Sequence, residues 1–114
     1  MNKNTDLYVL WTSDNPVTAE KMVFMYTINS LANGWWENVT IIIWGAAARL
    51  AGEDDNVREM AAKALKAGVH ITACKACADQ LGVTEALEEL NVEVKYWGAD
   101  LTELLKNEEK LLTI

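Results

Sequence analysis

Two cysteines separated by two residues are the clearest candidates for chemistry in this sequence. Cys74 and Cys77 are its only cysteines, and Lys75 lies between them. A thiolate can act as a nucleophile, a sulfur acceptor or a metal ligand, and nearby positive charge favours it over the thiol. Because Cys74 falls where a predicted strand meets a predicted helix, we expect helix amides and Lys75 to stabilise its anion. Helical spacing places Cys77 on the same side as Cys74.

Several kinds of site contain a single CxxC motif. A structural zinc site needs four ligands, and His70 is the only histidine that could join the pair. A thioredoxin-like oxidoreductase also has CxxC at a helix start, but it sets a proline against the cysteines, and the sole proline here, Pro16, lies in another element. A cysteine that carries sulfur as a persulfide, assisted or resolved by the second thiol, is the third kind. Two small buried side chains without chemistry are the alternative.

Tryptophans are expected at the same edge of the fold as the thiols. Trp11, Trp44 and Trp97 each end a predicted strand, and Cys74 follows another. The carboxyl ends of strands in open α/β sheets form the ligand crevice, so these side chains are predicted to share one rim and exclude water there. Capping of the hydrophobic core is the alternative role of the indoles. Arg49, just beyond Trp44, either steers an anionic sulfur species or is solvated.

Strand-like and helix-like segments alternate along the chain. Apolar, β-branched runs predict strands at 6–11, 39–44, 69–73, 93–97 and 110–114. Helical patterns cover 17–32, 56–67, 74–81, 84–90 and 101–107. The stretch after Gly45 is predicted as an alanine-rich turn, and Asp100 is predicted to open the last helix. The alternation predicts one domain over residues 1–114. Its fold is predicted to be a three-layer α/β/α arrangement of flavodoxin-like type, with a mainly parallel sheet of about five strands.

Composition narrows the classes of partner. Seventeen acidic and ten basic side chains give a net charge of −7, so we expect neither nucleic acid nor an anionic membrane as a partner. The sequence has no glycine-rich nucleotide loop and no apolar run of membrane-spanning length. We therefore expect no cofactor, and because the single histidine leaves the CxxC motif short of four zinc ligands, we expect no bound metal. The polar segment 1–6 lacks the apolar stretch of a signal peptide, which predicts a cytoplasmic protein.

The helix predicted at 17–32 has apolar side chains on more than one face. Covering a sheet requires one apolar stripe, so the surplus predicts a second packing surface. Trp35 and Trp36 follow this helix directly, and paired tryptophans are costly to leave in water. These residues indicate an oligomer interface. Coverage by other elements of the same chain is the alternative.

Two segments resemble a known family. Residues 68–83, GVHITACKACADQLGV, are similar to the DsrE/DsrF-like sulfur-relay family of the YchN and TusD type. That family has a strand, a cysteine and a short helix that ends in glycine and an aliphatic residue. Residues 92–102, VEVKYWGADLT, also resemble its C-terminal segment.

The resemblance implies both a role for one cysteine and an assembly. Cys74 matches the family's sulfur-carrying cysteine, which accepts a persulfide and passes it to a partner protein. It also implies sulfur-donor and sulfur-acceptor proteins as partners. Family members assemble as homotrimers, homohexamers or heterohexamers with related subunits, and for this chain we expect a homotrimer or homohexamer. Cys77 is an addition that many sulfur-relay members lack, and a second thiol could attack the persulfide, releasing sulfide and leaving a disulfide.

The resulting hypothesis is a sulfurtransferase-like persulfide carrier. The predicted catalytic residues are Cys74 and Cys77, and the predicted substrate-binding residues are Lys75, Trp11, Trp44 and Trp97. Two alternatives stay open at this point. One is a CxxC dithiol module that senses redox state or metal, and the other is a non-catalytic scaffold subunit of an oligomer.

Overall fold

A single parallel sheet forms the centre of the computed structural model, which describes residues 5–114. Its strands are β1 (Asp6–Trp11), β2 (Asn38–Ile43), β3 (His70–Cys74), β4 (Glu93–Lys95) and β5 (Lys110–Thr113). Their order is β4-β3-β2-β1-β5, and every neighbouring pair is parallel. The predicted α/β fold with about five strands is confirmed. Most of the polar segment 1–6 lies outside the described residues.

Six helical elements connect the strands. Helix α1 combines an α-helical turn Pro16–Thr18, a π-helical segment Ala19–Phe24 and an α-helical segment Met25–Ala32. The others are α2 (Ala46–Glu53), α3 (Asp55–Lys66), α4 (Lys75–Leu81), α5 (Thr84–Glu89) and α6 (Gly98–Lys106). Between residues 5 and 114 none of these helices has the length and hydropathy needed to traverse a bilayer.

Side-chain caps fix where two of these helices begin. The Asn15 side chain accepts hydrogen bonds from the N–H groups of Val17 and Thr18, at 2.8 and 3.1 Å, which opens α1 as predicted. The Asp54 carboxylate accepts from the Val57 N–H at 2.9 Å and starts α3. These bonds satisfy amides that have no partner within the helix.

The direction in which the chain crosses the sheet decides which face each helix covers. From β1 to β4 each connection moves one strand the same way, so right-handed crossovers put α1 to α5 on one face. The connection from β4 returns across the whole sheet to β5, beyond β1, which places α6 on the opposite face. Leu101 and Leu104 of α6 accordingly pack against Ile42. Helices on both faces confirm the three layers.

The two faces of the sheet carry unequal cores. Alternate strand residues such as Val9, Ile41 and Ile71 point towards α1–α5 and form the main core. In the second core, under α6, the buried residues within the described range are Ile42, Cys74 and Trp97. A single helix is too narrow to cover five strands. The second face therefore leaves several apolar side chains half-exposed, and the thiol region belongs to this smaller core.

Several predicted element boundaries are wrong. Strand β2 ends at Ile43, so Trp44 follows the strand instead of ending it. The stretch after Gly45 forms α2 instead of a turn, because alanine-rich sequence has high helix propensity and Gly45, at φ 63°, turns the chain into the helix. Strand β4 ends at Lys95, so Trp97 follows the strand instead of belonging to it. Trp97 is the N-cap residue of α6, whereas Asp100 lies in the first turn and pairs with Lys95 at 2.9 Å.

Gly52 in α2 allows a close approach that no other residue type permits. A Cβ atom there would lie 2.6 Å from the Val83 Cβ, inside van der Waals contact. We expect Gly52→Ala to lower the free energy of unfolding by about 1–3 kcal/mol, the usual cost of overpacking. Gly98→Ala is the matched control: its Cβ would meet no atom within 4 Å, so stability should be unchanged or rise by up to about 1 kcal/mol. Equal unfolding midpoints for the two variants in denaturant titrations would contradict this account.

Candidate thiol site

The CxxC motif lies where β3 passes into α4. Cys74 is both the last residue of β3 and the N-cap of α4, and only 4% of it is exposed. Cys77, in the first turn of α4, is half-buried, and its thiol is within hydrogen-bond contact of the Cys74 thiol. Both cysteines are free thiols. The predicted proximity of the two cysteines is confirmed.

The chain connections diverge at this point of the sheet. After β3 the chain continues into α4 on one face, and after β4 it continues into α6 on the other face. Neighbouring strands whose connections leave on opposite faces create the crevice in which open α/β proteins bind their ligands. Cys74 is aligned with Lys95 of β4 in the register of these two strands. The fold therefore places the motif where ligands are expected.

A cavity of about 690 Å³ borders Cys77. It lies between the loop after β1, the start of α2 and helix α4, and its walls include Asp14, Gly45, Arg49, Glu53, Asp54 and Cys77. The half-buried thiol thus forms part of the wall, and the more deeply buried Cys74 thiol lies in contact with it. Cys77 is thus the member of the pair that borders the cavity.

The Cys77 thiol has an unusual environment. The Gly45 N–H donates a hydrogen bond to Cys77 Sγ over 3.4 Å. Burial raises the pKa of the Cys77 thiol, the Gly45 N–H opposes that rise, and the Cys74 thiol adds to it. Since the pKa is raised on balance, Cys77 stays protonated to a higher pH than a free cysteine does.

Lys75 has its own partners. Its Nζ pairs with the Asp79 carboxylate at 3.0 Å and lies 5.9 Å from the centre of the Tyr96 ring. The hydrogen bond that the Lys75 ammonium donates to the Asp79 carboxylate raises the pKa of Lys75, so the ammonium is charged at neutral pH. The Lys75 ammonium therefore contacts Asp79 in the structure. Stabilisation of a Cys74 thiolate by Lys75 stays a prediction.

Two of the three predicted tryptophans lie close to the thiols. Trp97 is buried in the same core as Cys74, and Trp44 is half-buried at the edge of that core. Trp11 is fully buried in the main core, where it meets Phe24 edge-on with ring centres 5.4 Å apart. The structure does not bring Trp11 to the thiols, because side-chain alternation along β1 directs it to the face covered by α1.

A polar network fixes Trp97 beside the buried thiol. Its Nε1 donates to Thr72 Oγ1 at 2.8 Å, and Thr72 is itself fully buried. On the other side of the indole, Lys95 Nζ lies 4.6 Å from the ring centre and pairs with Asp100 at 2.9 Å. Sequence analysis missed Thr72, although a threonine between apolar strand residues is a signal that a buried polar partner exists nearby.

His70 lies away from the thiols. It begins β3, whereas Cys74 ends that strand, and its Nε2 is 3.6 Å from a Glu93 carboxylate oxygen. Within the described part of the chain, no three His, Cys, Asp or Glu side chains are grouped closely enough to hold a metal ion. A zinc site would need further ligands beyond Cys74 and Cys77.

Comparison with known proteins identifies the family of the chain. The sequence profile of the DsrE/DsrF-like family matches residues 8–114. The chain belongs to the DsrE/DsrF-like family. The resemblance seen at residues 68–83 is thereby confirmed, and membership links this DsrE/DsrF-like protein to sulfur relay, in which family members often act with partners. No match was found among curated proteins.

Several solved structures align with 96–100% of this DsrE/DsrF-like protein. BT1422 of Bacteroides thetaiotaomicron, a conserved protein of unknown function, is 41% identical with a TM-score of 0.97, covering 100% of this chain and 98% of the other. YchN of E. coli is 16% identical with a TM-score of 0.69, and coverage is 96% and 98%. MTH1491 of Methanobacterium thermoautotrophicum, a protein of unknown function, is 14% identical with a TM-score of 0.71 and the same coverage. The last two show the shared fold alone.

Gly45 connects the start of α2 to the Cys77 thiol, and a substitution there tests the connection. At φ 63° and ψ −134°, a backbone conformation that glycine almost alone adopts, a Cβ is strained although it meets no atom within 4 Å, so we expect Gly45→Ala to cost about 1–3 kcal/mol of stability. A weakened N–H donation raises the pKa of Cys77 further, which shifts its alkylation by iodoacetamide to higher pH. Tryptic cleavage after Lys75 separates Cys77 from Cys74, so each thiol is read independently by mass spectrometry.

Gly34→Ala is the matched control for this experiment. Gly34 has a similar φ of 68° and no atom within 4 Å of a built Cβ, but it follows α1 and is not part of the cavity wall. Strain from a positive φ at this position should leave the alkylation profile of the Cys77 thiol unchanged. Identical profiles for wild type and Gly45→Ala would show that this N–H has no influence on Cys77.

Proposed function

We propose that this protein is a sulfur-relay carrier that holds sulfur as a persulfide on Cys74, with Cys77 as an assisting thiol. The supporting observation is the arrangement of the pair: a buried Cys74 thiol in contact with a half-buried Cys77 thiol that lines a cavity of about 690 Å³. Family membership makes sulfur transfer the relevant chemistry. The crevice position, between connections that leave on opposite faces, supports a binding role.

The proposed transfer conserves electrons and atoms. The Cys74 thiolate attacks the terminal sulfur of a donor persulfide, R–S–SH, and a new S–S bond forms at Cys74 Sγ. The S–S bond of the donor breaks, and the donor leaves as a thiolate that takes up a proton from solvent. An acceptor thiolate then repeats the attack on the Cys74 persulfide and regenerates the Cys74 thiolate.

The raised pKa of Cys77 suits a carrier. A Cys77 thiolate would attack the Cys74 persulfide at its inner sulfur, release sulfide and form a disulfide. Burial keeps Cys77 protonated at neutral pH, so this loss is slow and the thiol is left to hydrogen-bond to Cys74. Trp44 and Trp97 exclude water from the carried sulfur in this proposal.

The other two predicted site residues take indirect roles in the proposal. Lys75, held by Asp79, adds positive charge at the start of α4. Trp11 supports the carboxyl end of β1 from the main core without touching the sulfur. Free thiols persist in a reducing compartment, so the proposed location is the cytoplasm. Sulfur-donor and sulfur-acceptor proteins are the proposed partners.

Sulfur loading tests the carrier directly. After incubation with cysteine persulfide, we expect an intact-mass gain of about one sulfur atom that reductant removes and that maps to the tryptic peptide ending at Lys75. Cys74→Ser should lose at least about nine-tenths of this loading, because a hydroxyl is a far weaker nucleophile than a thiolate. Cys77→Ser, the matched control, should still load. Full loading of Cys74→Ser, or no loading of the wild type, would contradict the proposal.

A dithiol redox module is the second candidate function, since the two thiols are in contact. Mild oxidation would then remove two hydrogens and link Cys74 to Cys77 in a disulfide. Reduction would restore both thiols, and renewed oxidation would form the same disulfide again. A persulfide that survives on Cys74 separates the carrier from this candidate. A scaffold subunit would show neither product.

We also propose that the chain assembles as a homotrimer or homohexamer. Large apolar side chains stay exposed on and after α1, among them Val17, Met25 and Trp35, and such surfaces are usually covered by a partner. The predicted surplus of apolar surface on this helix supports an interface between copies of the chain. Tyr96 and Leu105 are exposed near α6 as well.

Native mass spectrometry tests the assembly. We expect three or six times the 12.7 kDa protomer mass for the wild type. Met25→Glu should weaken the assembly at least about tenfold, since burying an unpaired charge at an interface costs more than 1.4 kcal/mol. Asn56→Glu, at another exposed helical position, on α3, is the control and should keep the wild-type mass. A wild-type monomer at micromolar concentration would contradict the proposal.

A further inference from the structure

We infer that the cavity beside Cys77 selects partners that present positive charge next to their reacting sulfur. The class of partner that fits is a cysteine flanked by lysine or arginine in an exposed segment of another protein, as opposed to an anionic small molecule such as thiosulfate. The inference rests on the proposed function only in taking Cys74 and Cys77 as the sulfur site. The charge of the cavity is a separate observation.

Acidic side chains dominate the charged part of the cavity wall. Asp14, Glu53 and Asp54 contribute carboxylates, whereas Arg49 is the one cationic side chain in the lining. Arg49 Nε lies 3.8 Å from a Glu53 carboxylate oxygen, so each largely offsets the charge of the other at a distance. Asp14 and Asp54 leave a net negative charge beside the thiol.

Nearby lysines do not reverse this charge. Lys75 pairs with Asp79, and Lys95 pairs with Asp100, so each ammonium has a carboxylate within 3.0 Å. The whole chain carries a net charge of −7 as well. An anion that approaches the cavity is therefore repelled, and a cation is attracted. Of the two roles that the sequence leaves open for Arg49, steering an anionic sulfur species is the one that this charge distribution disfavours.

The size and remaining lining of the cavity favour a peptide segment. About 690 Å³ lies within the range of about 300–1,000 Å³ that holds drug-sized ligands, so there is room for a cysteine with its neighbours. A thiosulfate ion would leave most of that volume empty. Leu50 and Leu81 give apolar wall surface on which the aliphatic part of a lysine or arginine side chain packs.

Mixed-disulfide formation measures this selection on the intact protein. Two short peptides are compared, with the central cysteine flanked by lysines in one and by glutamates in the other, and each carries a 2-pyridyl disulfide. A protein thiolate attacks the peptide sulfur, a new S–S bond forms, and the S–S bond to the pyridyl group breaks with release of pyridine-2-thione. Rates with the neutral thiol 2-mercaptoethanol correct for the intrinsic reactivity of each peptide, and tryptic mapping identifies the modified cysteine.

At low ionic strength, the lysine peptide should react about tenfold faster than the glutamate peptide after correction. High salt should reduce this ratio of the two rates severalfold. Asp14→Asn combined with Glu53→Gln should bring the ratio close to one. Glu59→Gln combined with Glu103→Gln removes the same two charges at exposed positions outside the cavity wall and should preserve most of the preference.

The outcomes separate this inference from the proposed function. Equal corrected rates for the two peptides, or no reaction of either one with the folded protein, would overturn the charge selection. The same holds if both double variants reduce the ratio equally. If the preference holds while sulfur loading of Cys74 fails, the sulfur-relay proposal is wrong and the charge selection of the cavity stands.

Discussion

The return of the chain from β4 across the sheet to β5 is the constraint on which the thiol site depends. Right-handed crossovers require α6 to lie on the face opposite the other helices, so the connections after β3 and β4 diverge. Cys74 ends β3 at this divergence, and Trp97 begins α6 beside it. A chain that continued outward beyond β4 would have no second layer to bury Cys74. The position of the motif is thus a consequence of topology.

The chemical character of the site follows from unequal burial of two similar groups. Cys74 lies within the small core under α6, while Cys77 borders both that core and the cavity. Burial raises the pKa of the Cys77 thiol, and the Gly45 N–H limits the rise. A pair of thiols in contact would otherwise favour a disulfide. In the proposed carrier, a protonated Cys77 thiol leaves the persulfide on Cys74 intact.

Much of the fold could be predicted from the sequence, because β-branched runs and helix caps are local signals. The proximity of the two cysteines could also be predicted, since it requires only a strand end and three residues of helix. The face on which Trp11 lies could not, because β1 is apolar on both faces and alternation alone does not say which face meets α1. The cavity wall brings together Asp14, Arg49 and Cys77 from distant segments, and only the crossover geometry places them side by side.

The most direct test of the account is the fate of sulfur once it is loaded. Wild-type protein is loaded, freed of donor and held without external thiol, and both free sulfide and the Cys74–Cys77 disulfide are measured against pH. We predict that the persulfide persists at neutral pH, and that sulfide and disulfide appear together only as the pH rises far enough to deprotonate Cys77. Prompt release of sulfide with formation of the disulfide at neutral pH would contradict the account and identify a dithiol redox protein.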